Sequence, residues 1–338
     1  IDQHTHGAMG YDTMDANSNA MDAICRHHLE TGVTTFLPTT MTAAFAETEN
    51  VLEFLSGYRP PVPVQIAGVH MEGPFLSVKN RGAHPEKLLR APDDAWHALI
   101  ERYRPLVRMI TVSPELPGMC DFIRFCRERG ITVSGGHDDA YDDVIIAAVD
   151  AGMRCVTHIF CCSSEISRRN SPTKRLGLTQ VGMLDDRLYT EAIADGNGVP
   201  HALLPLLFKT KGPDRVIFVS DSMRATGLAP GRYRLGGADD GADVDVTKDA
   251  AILHGQNLFA GSIAPVSQMV ADAVQKSNVP LVDAVLAVTQ NPAALLGLSD
   301  RGDVAEGKRA ALNLIRSDGT LLKTIVDGHV YQKGVEIP

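Results

Sequence analysis

The chain opens on Ile1-Asp2-Gln3-His4-Thr5-His6, a strand-like stub over Ile1–His4 that runs into two histidines one residue apart. Alternation along a strand sends residues i and i+2 to the same side, so one cation can take both imidazoles. Seven further apolar, β-branched runs follow: Thr34–Pro38, Gln65–Glu72, Val107–Val112, Ile131–His137, Arg154–His158, Leu188–Asp195 and Arg215–Asp221. Helix-like patterns separate them, among them Ser18–Glu30, Thr42–Leu55, Asp93–Arg104, Met119–Arg129 and Asp139–Ala151. Apolar patterning that is continuous rather than alternating marks strands buried on both faces, as in a parallel sheet covered by helices. Eight such units predict an α/β fold, a (β/α)8 TIM-type barrel in preference to an open doubly wound sheet.

Beyond Asp221 the texture changes. Arg232–Gly255 is rich in Gly and Asp and reads as a β-hairpin excursion, and helical patterns return at Ala264–Lys276 and Leu281–Leu296. Ala311–Ile315 and Leu322–Val330 read as strands divided by Ser317–Gly319, with no partner in the remaining sequence. The expected organisation is a barrel over 1–303, carrying the hairpin insertion at about 230–257, followed by 304–338 as part of a small β domain. Because the chain begins at Ile1 inside a strand-like segment, N-terminal residues completing that small domain are expected to be missing.

Composition narrows the function. The 338 residues are 44% hydrophobic and 22% charged, which suits a large buried core and excludes disordered or fibrous classes. A net charge of −9, from 32 basic and 41 acidic residues, argues against nucleic acid or an anionic membrane as partner. A small phosphorylated ligand needs only one or two local cations and is not excluded. The six cysteines (Cys25, Cys120, Cys126, Cys155, Cys161, Cys162) show no C-x-x-C spacing, which favours a reducing, cytoplasmic setting over a disulfide scaffold. No apolar run approaches the roughly 18 residues of a membrane span.

The chemistry gathers where the strands end. The first ends at His4-Thr5-His6, the third at His70-Met71-Glu72, the fifth at His137, the sixth at His158 and the eighth at Asp221. In a barrel the βα loops build the site at that end. A lone histidine there is usually a hydrogen-bonded core or surface residue, and His27, His28, His97, His201, His254 and His329 keep that reading. The set is harder to explain so. Imidazole and carboxylate together suit a divalent first-row ion, Zn²⁺ first, with Fe²⁺, Mn²⁺ or Co²⁺ as alternatives. His4, His6, Glu72, His137, His158 and Asp221 exceed what one tetrahedral ion needs, so one or two ions per subunit are expected, two sharing a carboxylate being the natural count.

These segments resemble the amidohydrolase superfamily in Ile1-Asp2-Gln3-His4-Thr5-His6-Gly7. They resemble its N-acetylglucosamine-6-phosphate deacetylase branch in His70-Met71-Glu72-Gly73-Pro74-Phe75-Leu76, Ser134-Gly135-Gly136-His137, Thr157-His158, Ile193-Ala194-Asp195-Gly196 and Val219-Ser220-Asp221. The resemblance implies a distorted barrel with a small β-sandwich, hydrolysis of an acetamide on an amino sugar phosphate, and a homodimer. It implies that Glu72, His137 and His158 are the principal metal ligands, that His4 and His6 hold a second ion, and that Asp221 is the catalytic carboxylate. His84, in Arg81-Gly82-Ala83-His84, matches a substrate-contacting histidine, and Arg169 matches a phosphate-directed arginine that reaches a neighbouring subunit's site.

The departures concern the substrate. Where the family usually shows an aromatic residue and then Asn-Ala-Met after Thr157-His158, this chain has Ile159-Phe160-Cys161-Cys162-Ser163. Where a histidine is usual after Asp195-Gly196, it has Asn197-Gly198. Two polar contacts worth on the order of 1.5–3 kcal/mol each are thereby in question. Arg224 either supplies the lost cation or pairs with a surface carboxylate, and the second is expected. Cys161 and Cys162 read as pocket lining rather than nucleophiles, and Phe259 is placed with them, Asn197 and Gly198 among the substrate contacts. Two other readings remain: an amidohydrolase for a non-phosphorylated N-acyl sugar or N-acyl-D-amino acid, and a metal-binding protein without turnover.

Overall fold

Eight parallel strands make the ring of the nine-stranded central sheet, with short Gln65–Ile66 pairing off it beside Thr35–Thr40, in the computed structural model, which describes residues 1–168, 172–332 and 335–337. They are β1 (Asp2–Thr5), β2 (Thr35–Thr40), β3 (Val69–Glu72), β4 (Val107–Val112), β5 (Thr132–Gly135), β6 (Cys155–Val156), β7 (Tyr189–Ala192) and β8 (Val216–Phe218). Each pairs with the next in chain order. The ring closes through the extension of β8, where Asp221 N–H donates to the His4 carbonyl (2.9 Å) and His6 N–H to that of Ser222 (2.8 Å). The fold is a (β/α)8 barrel with additional sheets.

Local sequence explains the helices between the strands. In Ser18–Glu30 the Asn17 side chain caps the first turn by accepting from Ala20 N–H (3.0 Å), and Met21, Ile24, Cys25 and Leu29 make one buried face. Asp93 caps Asp94–Arg102 in the same way, and Trp96 packs edge-on against Phe45 and Phe75. Among the described residues no helix is long and apolar enough to cross a membrane.

The barrel interior is layered. Leu37, Met109 and Cys155, from the alternate strands β2, β4 and β6, form a small apolar cluster with Leu296. Two residues further along the same strands, the same face carries Thr39, Thr111 and Thr157, all buried. The interior thus turns from apolar to polar toward the strand ends where the histidines lie.

The structure departs from the sequence reading in the last third. The excursion is a three-stranded antiparallel sheet rather than a hairpin: β9 (Gly231–Leu235), β10 (Ala242–Val246) and β11 (Ala251–Leu253). Its apolar side (Leu235, Val244, Val246, Ala251, Leu253) packs on Met41 and Met223 over the barrel mouth. Leu281–Leu296 is two short helices, Leu281–Leu286 and Gln290–Leu295, not one. Leu322–Val330 is likewise two strands, β13 (Leu321–Val326) and β14 (His329–Gln332), joined by Asp327-Gly328 with both residues at positive φ. Asp-Gly in that conformation is the preferred two-residue hairpin turn, and the turn signal outweighs the continuous apolar pattern. Nor are the last strands partnerless. β12 (Ala311–Ile315), β13, β14 and β15 (Val335–Ile337) pair with one another as an antiparallel meander.

Candidate active site

Glu72, the last residue of β3, is the hub of the site. Its Oε1 lies 3.2 Å from His137 Nε2 and 3.1 Å from His158 Nε2. Its Oε2 lies 3.1 Å from His6 Nε2 and 3.5 Å from His4 Nε2. Asp221 Oδ1 sits on the second pair, 3.3 Å from His6 and 3.5 Å from His4. One carboxylate therefore spans two imidazole pairs. His137, His158 and Asp221 follow the ends of their strands with left-handed backbones (φ 50°, 26° and 44°). Such conformations cost non-glycine residues about 1–3 kcal/mol and concentrate where side-chain aim matters more than backbone comfort.

Hydrogen bonds on the far ring nitrogens fix the tautomers. His6 Nδ1 faces the Thr39 carbonyl (3.2 Å) and His137 Nδ1 the Asn80 carbonyl (3.0 Å). A carbonyl only accepts, so both Nδ1 atoms carry a proton, which leaves Nε2 as the atom that takes a metal ion or, without one, a second proton. His84 is the opposite case. Its Nδ1 accepts from Thr42 N–H (3.3 Å) and meets Thr42 Oγ1 (2.9 Å), which leaves the proton on Nε2, aimed at Glu72 Oε2 (3.5 Å). Burial pushes His84 down to about 4, so this N–H belongs to a neutral ring. The groups His4–His6–Asp221 and Glu72–His84–His137 each place ligand atoms within 4.8 Å. By tautomer, His84 suits a hydrogen-bond donor better than a ligand.

These ring nitrogens and carboxylate oxygens, 3.1–3.5 Å apart and all but closed to solvent, need a proton or a metal cation between them. Without a metal the site takes up protons. Burial alone would lower His4 and His6, but Glu72 and Asp221 overcome it, raising His4 well above its ordinary value and His6 to about 9. Among the described residues His158 Nδ1 has no hydrogen-bond partner in its buried setting. A donor set of four imidazoles and two carboxylates fits divalent first-row metals.

Residues 1–331 match the amidohydrolase family model. This chain belongs to the amidohydrolase family. It is 31% identical over 337 residues to N-acetylglucosamine-6-phosphate deacetylase of Bacillus subtilis strain 168, covering 98% of this chain and 83% of the relative. It is 30% identical to N-acetylgalactosamine-6-phosphate deacetylase of Escherichia coli O157:H7, over 92% and 81% of the two chains. Its fold matches a variant of the Mycobacterium smegmatis N-acetyl-D-glucosamine-6-phosphate deacetylase in complex with N-acetyl-D-glucosamine-6-phosphate, at TM-score 0.88 and 31% identity. That match covers 97% of this chain and 84% of the other.

Around the hub this amidohydrolase has a pocket with about 620 Å³ of space, open solvent included. His84, Cys161, Cys162, Asn197, Gly198 and Phe259 all line it, as do Asp195 and the inserted sheet's Leu235 and Ala251. Among the described residues no Lys or Arg does. Asn197 spends its side-chain amide on the Asp249 carbonyl (2.7 Å), while Asn197 N–H and Gly198 N–H both donate to Asp195 Oδ1 (2.9 and 2.8 Å). Burial pushes the Cys161 thiol up to about 12, the state of an inert lining residue. Arg224 is turned away, paired with Asp15 (3.0 Å) and donating to the carbonyls of Gly10 and Gly236. Arg169 lies outside the described residues.

Sequence reasoning missed Glu191 on β7, fully buried with Oε2 3.2 Å from His4 Nδ1. A signal was there. A single carboxylate inside Leu188-Tyr189-Thr190-Glu191-Ala192-Ile193, a strand expected to be covered on both faces, needs a reason for its burial.

Proposed function

We propose that this amidohydrolase hydrolyses the acetamide of N-acetylglucosamine 6-phosphate, or of a close N-acetyl amino sugar phosphate, to acetate and the free amino sugar phosphate. The observation carrying the proposal is Glu72 spanning two imidazole pairs with Asp221 on one of them. The names of its relatives support the substrate class. His137, His158 and Glu72 would hold one divalent ion, and His4, His6 and Asp221, with Glu72 shared, a second. Zn²⁺ is the first choice, ahead of Fe²⁺, Mn²⁺ or Co²⁺.

When bound, such ions lower the pKa of a water toward neutrality and polarise the amide carbonyl. The chain's own residues do the rest. Asp221, kept below the ordinary carboxyl range by His4 and His6 against the pull of burial, accepts the proton of the attacking water. It then delivers that proton to the departing amine. His84 donates its Nε2–H to the carbonyl oxygen as negative charge builds there. Met41, Ile193, Leu235 and Phe259 give the pocket apolar walls that limit water.

At the far end of the substrate, Cys161, Cys162, Asn197 and Gly198 form the wall, and Arg169 is the phosphate contact, from its own chain or across a homodimer. A cytoplasmic homodimer with a barrel over 1–303 and a small domain over 304–338 completes the proposal.

Rates on N-acetylglucosamine with and without the 6-phosphate test the substrate. A clear preference for the phosphorylated sugar is expected, and equal rates would refute phosphate recognition. Asp221→Asn tests the mechanism: turnover falls by about 10²–10⁴ while the ion at Glu72, His137 and His158 stays. Undiminished turnover would end the Asp221 assignment.

A further inference from the structure

Glu191 is a carboxylate with no solvent exposure, placed behind His4 rather than in the pocket. Both its oxygens are committed. Oε1 accepts from Gln3 Nε2 (2.7 Å), while Oε2 takes His4 Nδ1 (3.2 Å) and lies 3.4 Å from the His158 amide N–H. Among the described residues no Lys or Arg pairs with it. A buried carboxylate with no Lys or Arg partner costs several kcal/mol even after relaxation. A structural role gives little return for that cost, since Gln at this position would keep the hydrogen bond to a neighbouring amide.

The other ligand candidates have weaker supports. His6 and His137 lean on backbone carbonyls and His158 Nδ1 on no group among the described residues. His4 alone among them, in the described residues, has a full negative charge behind its ring. Such a partner fixes the tautomer with Nε2 bare, holds the ring plane, and raises the donor strength of the imidazole. His4 Nε2 is 3.3 Å from His6 Nε2, so the effect falls first on the His4–His6 position; at His158 Glu191 meets the backbone amide and not the ring.

Charge counting points the same way. Glu72, Asp221 and Glu191 bring three negative charges to one buried region. One dication leaves it at −1 and two leave it at +1; without Glu191 the second ion would leave +2. Burial cost grows steeply with net charge, so Glu191 chiefly eases entry of the second ion.

We propose that Glu191 is the positioning residue of the second metal position, orienting His4 and supplying the charge that lets a second divalent ion bind. The inference rests on the two-ion reading of the site given above.

The test is titration of the metal-free protein with Co²⁺, followed by visible absorption and total metal content. The wild-type chain takes two equivalents. In Glu191→Gln the first equivalent binds as before and the second is weakened about 10–100-fold. Glu191→Asp keeps the charge but withdraws the carboxylate by one methylene, and its smaller loss is confined to the second equivalent. That comparison stands even if the Gln variant does not fold. Two equally tight equivalents in both variants overturn the role of Glu191 and leave the two-ion site standing. Equal weakening of both equivalents overturns it too, because Glu191 would then support the barrel generally. A single equivalent in the wild-type chain overturns the two-ion reading and this inference with it.

Discussion

Replacing His84 separates a hydrogen-bond donor from a metal ligand. The Thr42 amide donates to Nδ1, so the proton sits on Nε2, the atom 3.5 Å from Glu72 Oε2 at the pocket wall. With the group titrating near 4, the ring is protonated in only about one molecule in 10³ at pH 7. The donor is thus a neutral N–H, available across the whole neutral range. Removing one donor to a developing oxyanion costs about 2.7–4 kcal/mol, or 10²–10³ in kcat. His84→Ala should show that loss in acetate release, with both metal equivalents kept by elemental analysis. His84→Gln, which can present an amide N–H, should recover part of it. Between pH 5 and 8 the kcat/KM profile should show no inflection that disappears in the variant. His84 is also within 4.8 Å of Glu72 and His137 ligand atoms, so the alternative is concrete. If His84→Ala loses a metal equivalent, or retains full kcat, the tautomer argument is wrong.

Gly73→Ala strikes the same network from behind. At φ +89° a Cβ would lie 2.1 Å from Thr42 Oγ1, the hydroxyl against His84 Nδ1. The left-handed backbone costs about 1–2 kcal/mol in chemical denaturation, and kcat should fall toward the His84→Ala value with metal content unchanged. Far from the site, Lys211 is buried and donates to the Asp185 carbonyl, and burial lowers it from 10.5 to about 8. Below pH 8 both states carry the proton and the fold bears the full cost; between 8 and 10.5 the native state sheds it first, so stability from this group rises with pH. Lys211→Met should therefore be more stable than wild type at pH 7.5, by up to about 3 kcal/mol less about 1 for the lost hydrogen bond. The gap should close by pH 10.5 in denaturant melts, and a gap independent of pH would refute the cause.

The barrel was readable because its signal is local and repeated. Strands covered on both faces must be continuously apolar, and β4 runs over Val107–Val112 as its pattern predicts. The last third was harder for the same reason. An apolar run names no partner and no break, so the Asp327-Gly328 turn and the third strand of the inserted sheet were passed over. At the site, strand-end position alone singled out His4, His6, Glu72, His137, His158 and Asp221, and the fold brings their side chains within 3.1–3.5 Å of one another through Glu72 and Asp221. Glu191 was missed because a residue that acts through another carries no motif of its own.

The amino-acid sequence by itself determined the barrel class and which side chains could reach a shared cation, because strand periodicity and strand ends are properties of short segments. Only the tertiary structure decided which nitrogen of each ring faces the pocket. That choice rests on groups distant in sequence: the Thr39 carbonyl for His6, the Asn80 carbonyl for His137, the Thr42 amide for His84 and the Glu191 carboxylate for His4. A tautomer is set by what stands behind the ring, and no spacing along the chain records it.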